Sequence, residues 1–170
     1  VFGRLGHGDE EHQRTPKVIE ALRGERVVAV AAGDHHSLVL TEAGAVHSFG
    51  SGEDGCLGHG DEEHQRTPKV IEALRGTRVA AVSAGDWHSL VQTEAGTVLS
   101  FGWGPYGQLG HGDVASQVTS TVDEALRRAR GGVVVAGPRR GVGPPEGGRA
   151  CGWGCGGDGR LRGARPAGRR

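Results

Sequence analysis

Nine histidines in 170 residues, several of them beside acidic groups, are the first place to look for chemistry. "GDEEHQ" at Gly8 to Gln13 returns unchanged at Gly60 to Gln65 and sets two glutamates next to a histidine, a grouping suited to hydrolysis or to a metal ion. His36 and His88 recur inside "GDHHS" and "GDWHS" and invite the same thought. Each has a simpler account. A carboxylate run on a loop is usually solvated, so "GDEEHQ" reads as a polar turn. An imidazole inside a sheet usually satisfies neighbouring backbone groups, so His36 and His88 read as structural. No GxSxG elbow, P-loop or HExxH occurs. The Gly-x-Gly pairs come from an "FGxG" turn and do not lead a strand into a helix, which disfavours a dinucleotide site. Cys56, Cys151 and Cys155 are odd in number and lack CxxC spacing, which supports neither zinc nor a disulfide framework. We expect no enzyme, no catalytic residue, no metal and no cofactor. The thiols point to a reducing, intracellular setting, cytoplasm or nucleus.

The recurrence itself carries more information than any single motif. "LGHGDEEHQRTPKVIEALRG" stands at Leu5 to Gly24 and, without one change, at Leu57 to Gly76, a period of 52. "LGHGD" returns at Leu109 to Asp113 and "EALR" at Glu124 to Arg127 in the same register. Glu146 and Gly148 follow Glu94 and Gly96 by the same interval, and "WGCGGDGRL" at Trp153 to Leu161 follows "FGSGEDGCL" at Phe49 to Leu57 by two of them. The chain therefore divides into the end of a truncated repeat (1–24), two full units (25–76 and 77–127), a degenerate unit (128–161) and a basic Gly/Arg tail (162–170) expected to be disordered. Divergence and a sequence error in 138–152 would look alike.

Glycine fills 33 positions, which signals many tight turns and argues against a helical architecture. Within a unit, "RVVAVAA", "HSLVLT" and "AVHSF" are short and β-branched, and "EAG" links the last two as a bulged hairpin with Gly44 left-handed. "PKVIEALRG" suits a short helix or a strand, and we take it as a strand or irregular edge. A period near 50 with about four short strands is the signature of propeller blades. One unit holds too few large apolar side chains to offset the entropy of ordering it, so neighbours must cover its faces.

Composition bounds the partners. The longest apolar run, Val27 to Ala32, is too short to span a bilayer. Residues 1–126 carry nine Lys and Arg against 18 Asp and Glu, while 127–170 carry 11 against two. An acidic body disfavours nucleic acid there, and only the basic tail could touch it weakly. No methionine occurs, so the chain reads as a fragment.

"GDHHSLVLTEAGAVHSFGSGEDGCLGHGD" resembles the repeat of the regulator-of-chromosome-condensation family, in wording nearest the propellers of large ubiquitin ligases of the HERC type. The family pattern is met at Gly33, His36, Gly50 and Gly55, and again at Gly85, His88, Gly102 and Gly107. The resemblance implies an all-β fold: a partial β-propeller with about three of a presumed seven blades, each of four short strands. It also implies a protein-interaction scaffold, with a guanine-nucleotide exchange factor for a small GTPase or a ligase's substrate-recruiting propeller as alternatives. Two intervals of 52 leave no room for the projecting hairpin of the exchange factors. The family's photoreceptors use G-W-R-H-T pentapeptides, from which Trp87 is displaced by one position; on a strand, that displacement would turn it to the opposite face.

Positions that vary inside the constant frame are the candidate partner contacts: Asp34 and His35, Asp86 and Trp87, Trp103 and Tyr106. Large aromatics on loops of a rigid scaffold anchor protein interfaces, and packing on the adjacent blade would use them equally well.

Overall fold

The computed structural model describes residues 2–122, 135–137, 140–146 and 149–154. The unit junction expected near Glu124 to Arg127 and the basic tail lie outside these residues. Eleven strands run in chain order: β1 Val27–Ala32, β2 His36–Thr41, β3 Val46–Gly50, β4 Gln65–Val70, β5 Val79–Ala84, β6 His88–Thr93, β7 Val98–Gly102, β8 Gln117–Val122, β9 Val135–Gly137, β10 Arg140–Glu146 and β11 Arg149–Gly154. They form two antiparallel four-stranded sheets, β1-β2-β3-β4 and β5-β6-β7-β8, and a three-stranded sheet, β9-β10-β11. The only helical elements among the described residues are single 3-10 turns, at Glu20–Leu22, Glu53–Gly55 and Glu72–Leu74. The fold is all-β, with propeller blades as its units.

Local sequence explains each hairpin. Leu40 pairs with Val46, Thr41 N–H donates to Ala45 O at 3.0 Å, and Gly44 takes φ 81°, a left-handed conformation that L side chains disfavour. "PKVIEALRG" divides: its start completes β4 and "EAL" makes a 3-10 turn. Pro68 is tolerated because β4 is the outer edge strand, where a missing N–H breaks no ladder.

The core lies between sheets. Leu40, Val46, Ile71 and Leu74 of the first blade close against Val79, Val91 and Phe101 of the second, all at most 5% exposed. β1 and β2 pack on β5, and β5 and β6 on β9, so the blades follow one another in chain order. Glycine sets how close they come. A β-carbon on Gly33 would collide with Gly85 O, and one on Gly85 with Gly137 O and the His88 ring. On the outside, the loop leaving β3 reaches over the next blade. Gly55 lies against the Val118 backbone, Gly58 lies on the Phe101 ring, and Gly60 N–H donates to Val118 O at 2.9 Å.

One buried polar clip crosses the first seam. Ser89 Oγ gives its single proton to Cys56 O (2.8 Å), so the 2.8 Å contact with His36 must be donated by His36 Nε2. The expectation that His36 serves backbone groups is corrected here. It serves a side chain of the next blade, because stacking brings a residue 53 positions away to its Nε2. Burial first, then His88 and His35, lower the His36 pKa to about 3.

Gly55→Ala should cost about 3 kcal/mol or more in urea unfolding, since strain at φ 74° adds to a backbone collision. Gly76→Ala, at φ 82° with open space around it, should cost only about 1 kcal/mol. For His36, the unfolded chain takes up a proton near pH 6.5 while the folded one resists until about 3, so the stability is present above 6.5 and lost as pH falls toward 3. The stability gap between the native chain and His36→Asn should therefore change by roughly 1.4 kcal/mol per pH unit across that window, measured by denaturation at stepped pH.

Candidate interaction surface

The turns entering β2 and β6 and the loops leaving β3 and β7 share one end of the blades. Backbone bonds join them: Ser51 N–H donates to His35 O and Trp103 N–H to Trp87 O, both at 2.9 Å. Across the seam the His35 ring stacks on Trp87, centroids 3.6 Å apart and planes 19° from parallel. Phe2 meets His35 and His64 edge-on at 6.2 and 5.0 Å. Trp103 and Tyr106 form a T-shaped pair at 4.9 Å within one loop. These rings are all partly exposed except that of His64, which is exposed.

The structure thus brings His35 and Trp87 together across two blades, and Trp103 beside Trp87 through the backbone. Asp34 is exposed, its carbonyl accepting from the Arg4 guanidinium, and Asp86 is partly exposed. Trp87 lies in the turn before β6, not on the strand, so the strand-face argument from its displaced position does not apply. Phe2 was not read as a partner contact in the sequence, and His64 entered only as the histidine of "GDEEHQ". Phe2 had a signal, since it precedes Asp54 and Tyr106 by one and two periods, and Phe2 and Asp54 share φ near 60°. His64 had none, because its role is to accept the Gly52 N–H through Nδ1 (3.1 Å), which Ser116 Oγ repeats for Gly104 (3.2 Å). The rim is acidic. Burial, then Glu62 and Glu53, raise the Asp54 pKa.

Two serine–histidine contacts resemble nucleophile and base: Ser48 with His59 at 3.0 Å and Ser100 with His111 at 2.7 Å. Their polarity is reversed. Each hydroxyl already donates, to Leu57 O (2.7 Å) and Leu109 O (2.6 Å), so each His Nε2 donates to the serine and has no lone pair there to take a proton. Burial is the main cause lowering both histidine pKa values. Cys56 is equally unsuited to attack: its thiol donates to Ser51 O and burial pushes its pKa up to about 12. "GDEEHQ" folds as a solvated turn in which Asp9 and Asp61 accept from the N–H two residues on, at 3.0 and 3.1 Å. Among the described residues no group of three His, Cys, Asp or Glu is placed to hold a metal ion, and no helix is long and apolar enough to cross a membrane.

Known proteins resemble this chain in sequence or in fold. The Ultraviolet-B receptor UVR8 of Arabidopsis thaliana is 44% identical over 130 residues, 74% of this chain and 30% of the receptor. The human E3 ubiquitin-protein ligase HERC2 is 49% identical over 112 residues, 65% of this chain and 2% of the ligase. The chain thus spans less than a third of either relative. Human WBSCR16 superposes with a TM-score of 0.77 over 90% of this chain and 40% of its own, at 25% identity. Yeast RCC1 (Prp20), solved bound to Kap60, gives 0.72 over 89% and 37%, at 20% identity. The pattern described as "Regulator of chromosome condensation (RCC1) repeat" matches residues 1–40 and 43–92, and a second pattern of that description matches 27–56 and 79–108. With more than half its residues inside that match and its blades built as the repeat requires, the chain belongs to the RCC1 repeat family.

Proposed function

We propose that this chain is a non-enzymatic scaffold that holds a protein partner against the loop end of its blades. The observation that carries the reading is the row of partly exposed rings, Phe2, His35, Trp87, Trp103 and Tyr106, set on loops that backbone bonds fix to rigid sheets. Aromatic groups pre-ordered in this way bind with little further loss of entropy. The hydroxyl–imidazole pairs, by contrast, are spent on structure.

Charge indicates the partner's chemistry. Asp34 and Asp86 directly precede His35 and Trp87 in the chain, Asp54 lies in the loop leaving β3 within reach of the charges of Glu53 and Glu62, and 18 acidic against nine basic residues fill 1–126. A basic protein surface complements that field. Among the solved relatives, Prp20p of Saccharomyces cerevisiae is described by its binding to Gsp1p and histones, which supplies two probes of different class. Exchange on a small GTPase and recruitment of ligase substrates are the alternatives: an E3 ubiquitin-protein ligase is among the relatives, and Prp20p is described by its binding to Gsp1p.

Histone octamer should bind the 170-residue chain in a salt-sensitive way by fluorescence anisotropy, and Trp87→Ala with Trp103→Ala should weaken that binding by about tenfold or more while the circular dichroism stays unchanged. No acceleration of labelled GDP release from Gsp1p is expected. Acceleration would replace the scaffold reading with the exchange-factor one.

A further inference from the structure

The seam between the first and second blades is tight at one end and open at the other. Beside the turns entering β2 and β6, a β-carbon on Gly33 would collide with Gly85 O. At the opposite end of the same strands, one on Gly44 would meet Arg78, Val79 and Thr77 only at ordinary distances of 3.6 Å or more, and one on Gly76 would meet nothing. Between the tip of the β2–β3 hairpin and the 74–78 link into β5 lies a cleft of about 390 Å³, lined entirely by residues of 43–46 and 70–78. That volume suits a large apolar group.

The lining pairs an apolar floor with a cationic rim. Val46, Ile71 and Leu74, at most 3% exposed, and the half-buried Val70 supply the floor, and Arg75 and Arg78 stand at the rim. Among the described residues that line the cleft there is no carboxylate, although acidic residues outnumber basic ones two to one over 1–126. The two arginines are not held alike. Arg75 is gripped by Glu72 through two bonds of 2.6 Å, whereas Arg78 reaches Glu94 at 3.4 Å and its side chain is 81% exposed. An exposed pair of that length yields readily to a second carboxylate.

The repeat singles out the same place. Residues 5–24 and 57–76 are identical, and the two copies first part at Glu25 and Thr77. Both positions have the same backbone bond, Glu25 N–H donating to Leu22 O and Thr77 N–H to Leu74 O at 3.0 Å. Thr77 lines the cleft, so the change removes a carboxylate from it and leaves the arginines as its charge.

We propose that this cleft binds a partner segment in which a large apolar side chain has a carboxylate beside it, the side chain covering Val70 and Leu74 and the acid pairing with Arg78. Charge selects the occupant: a basic segment would face two guanidinium groups. The surface lies at the far end of the blades from the ring-bearing loops and calls for the opposite charge, so it stands or falls apart from the scaffold reading.

The test titrates the ¹⁵N-labelled 170-residue chain with the capped peptides GELFDG, GQLFNG and GEAADG, followed by amide NMR. GELFDG should move the signals of Gly44, Gly76 and Thr77, leave the indole signals of Trp87 and Trp103 in place, and bind about fivefold or more tightly than either of the others. Arg78→Gln should weaken it about threefold, and Thr77→Glu, which restores the acid of the preceding link, about tenfold. Ala43→Phe, at an exposed turn position on the cleft, should fill the space and abolish the shifts with the circular dichroism unchanged. Silence at Gly44, Gly76 and Thr77 with millimolar GELFDG, equal binding of GQLFNG, or unchanged affinity in Thr77→Glu would each overturn the proposal.

Discussion

Everything in this molecule depends on one seam: the loop after β3 must lie flat on the next blade. Gly58 rests on Phe101 and Gly55 on the backbone of Val118, and only residues without a β-carbon allow that approach. The approach seals Leu57 at 1% exposure and brings Cys56 O to Ser89. Leu5, the same residue one repeat earlier, is 44% exposed. A blade is therefore finished by its neighbours, and its stability is a property of the stack.

That dependence also explains why residues that look reactive are not. The "LGHGD" histidines are drawn back to the serine of their own blade's third strand, His59 to Ser48 and His111 to Ser100, and those serines donate to the leucine carbonyls of the same loop. Each group satisfies a polar atom that the seam has removed from water. Repetition of the motif follows repetition of the loop.

The period of 52, the hairpins and the left-handed Gly44 were legible because each is written locally, in β-branched runs and turn residues. Partners across the seam were not. Nothing in "GDHHS" says that His36 will meet Ser89, since the contact exists only once two sheets are stacked. The loop rings stand out as candidates in the sequence, but the stack of His35 on Trp87 depends on blade spacing, which no window of sequence contains. "QRTPKV" makes the same point, being a strand at 65–70 and not at 13–18. Its structure is decided by tertiary context, as β-propensity commonly is.

The two seams also show how far the repeat can drift. At the position of Ser89 the third blade carries Gly141, which has no hydroxyl and so cannot repeat the serine half of the His36–Ser89 clip. A different one is present: Ala136 N–H donates to Ser83 Oγ at 2.8 Å, and the first blade has Ala31 at the Ser83 position. The glycine contact, in contrast, is kept through Gly33, Gly85 and Gly137. Close backbone approach admits one residue type, whereas a buried polar bond can be made by any donor and acceptor that the approach brings within reach. Selection on a blade of this kind should therefore fall hardest on its glycines and leave its clips free to change partners.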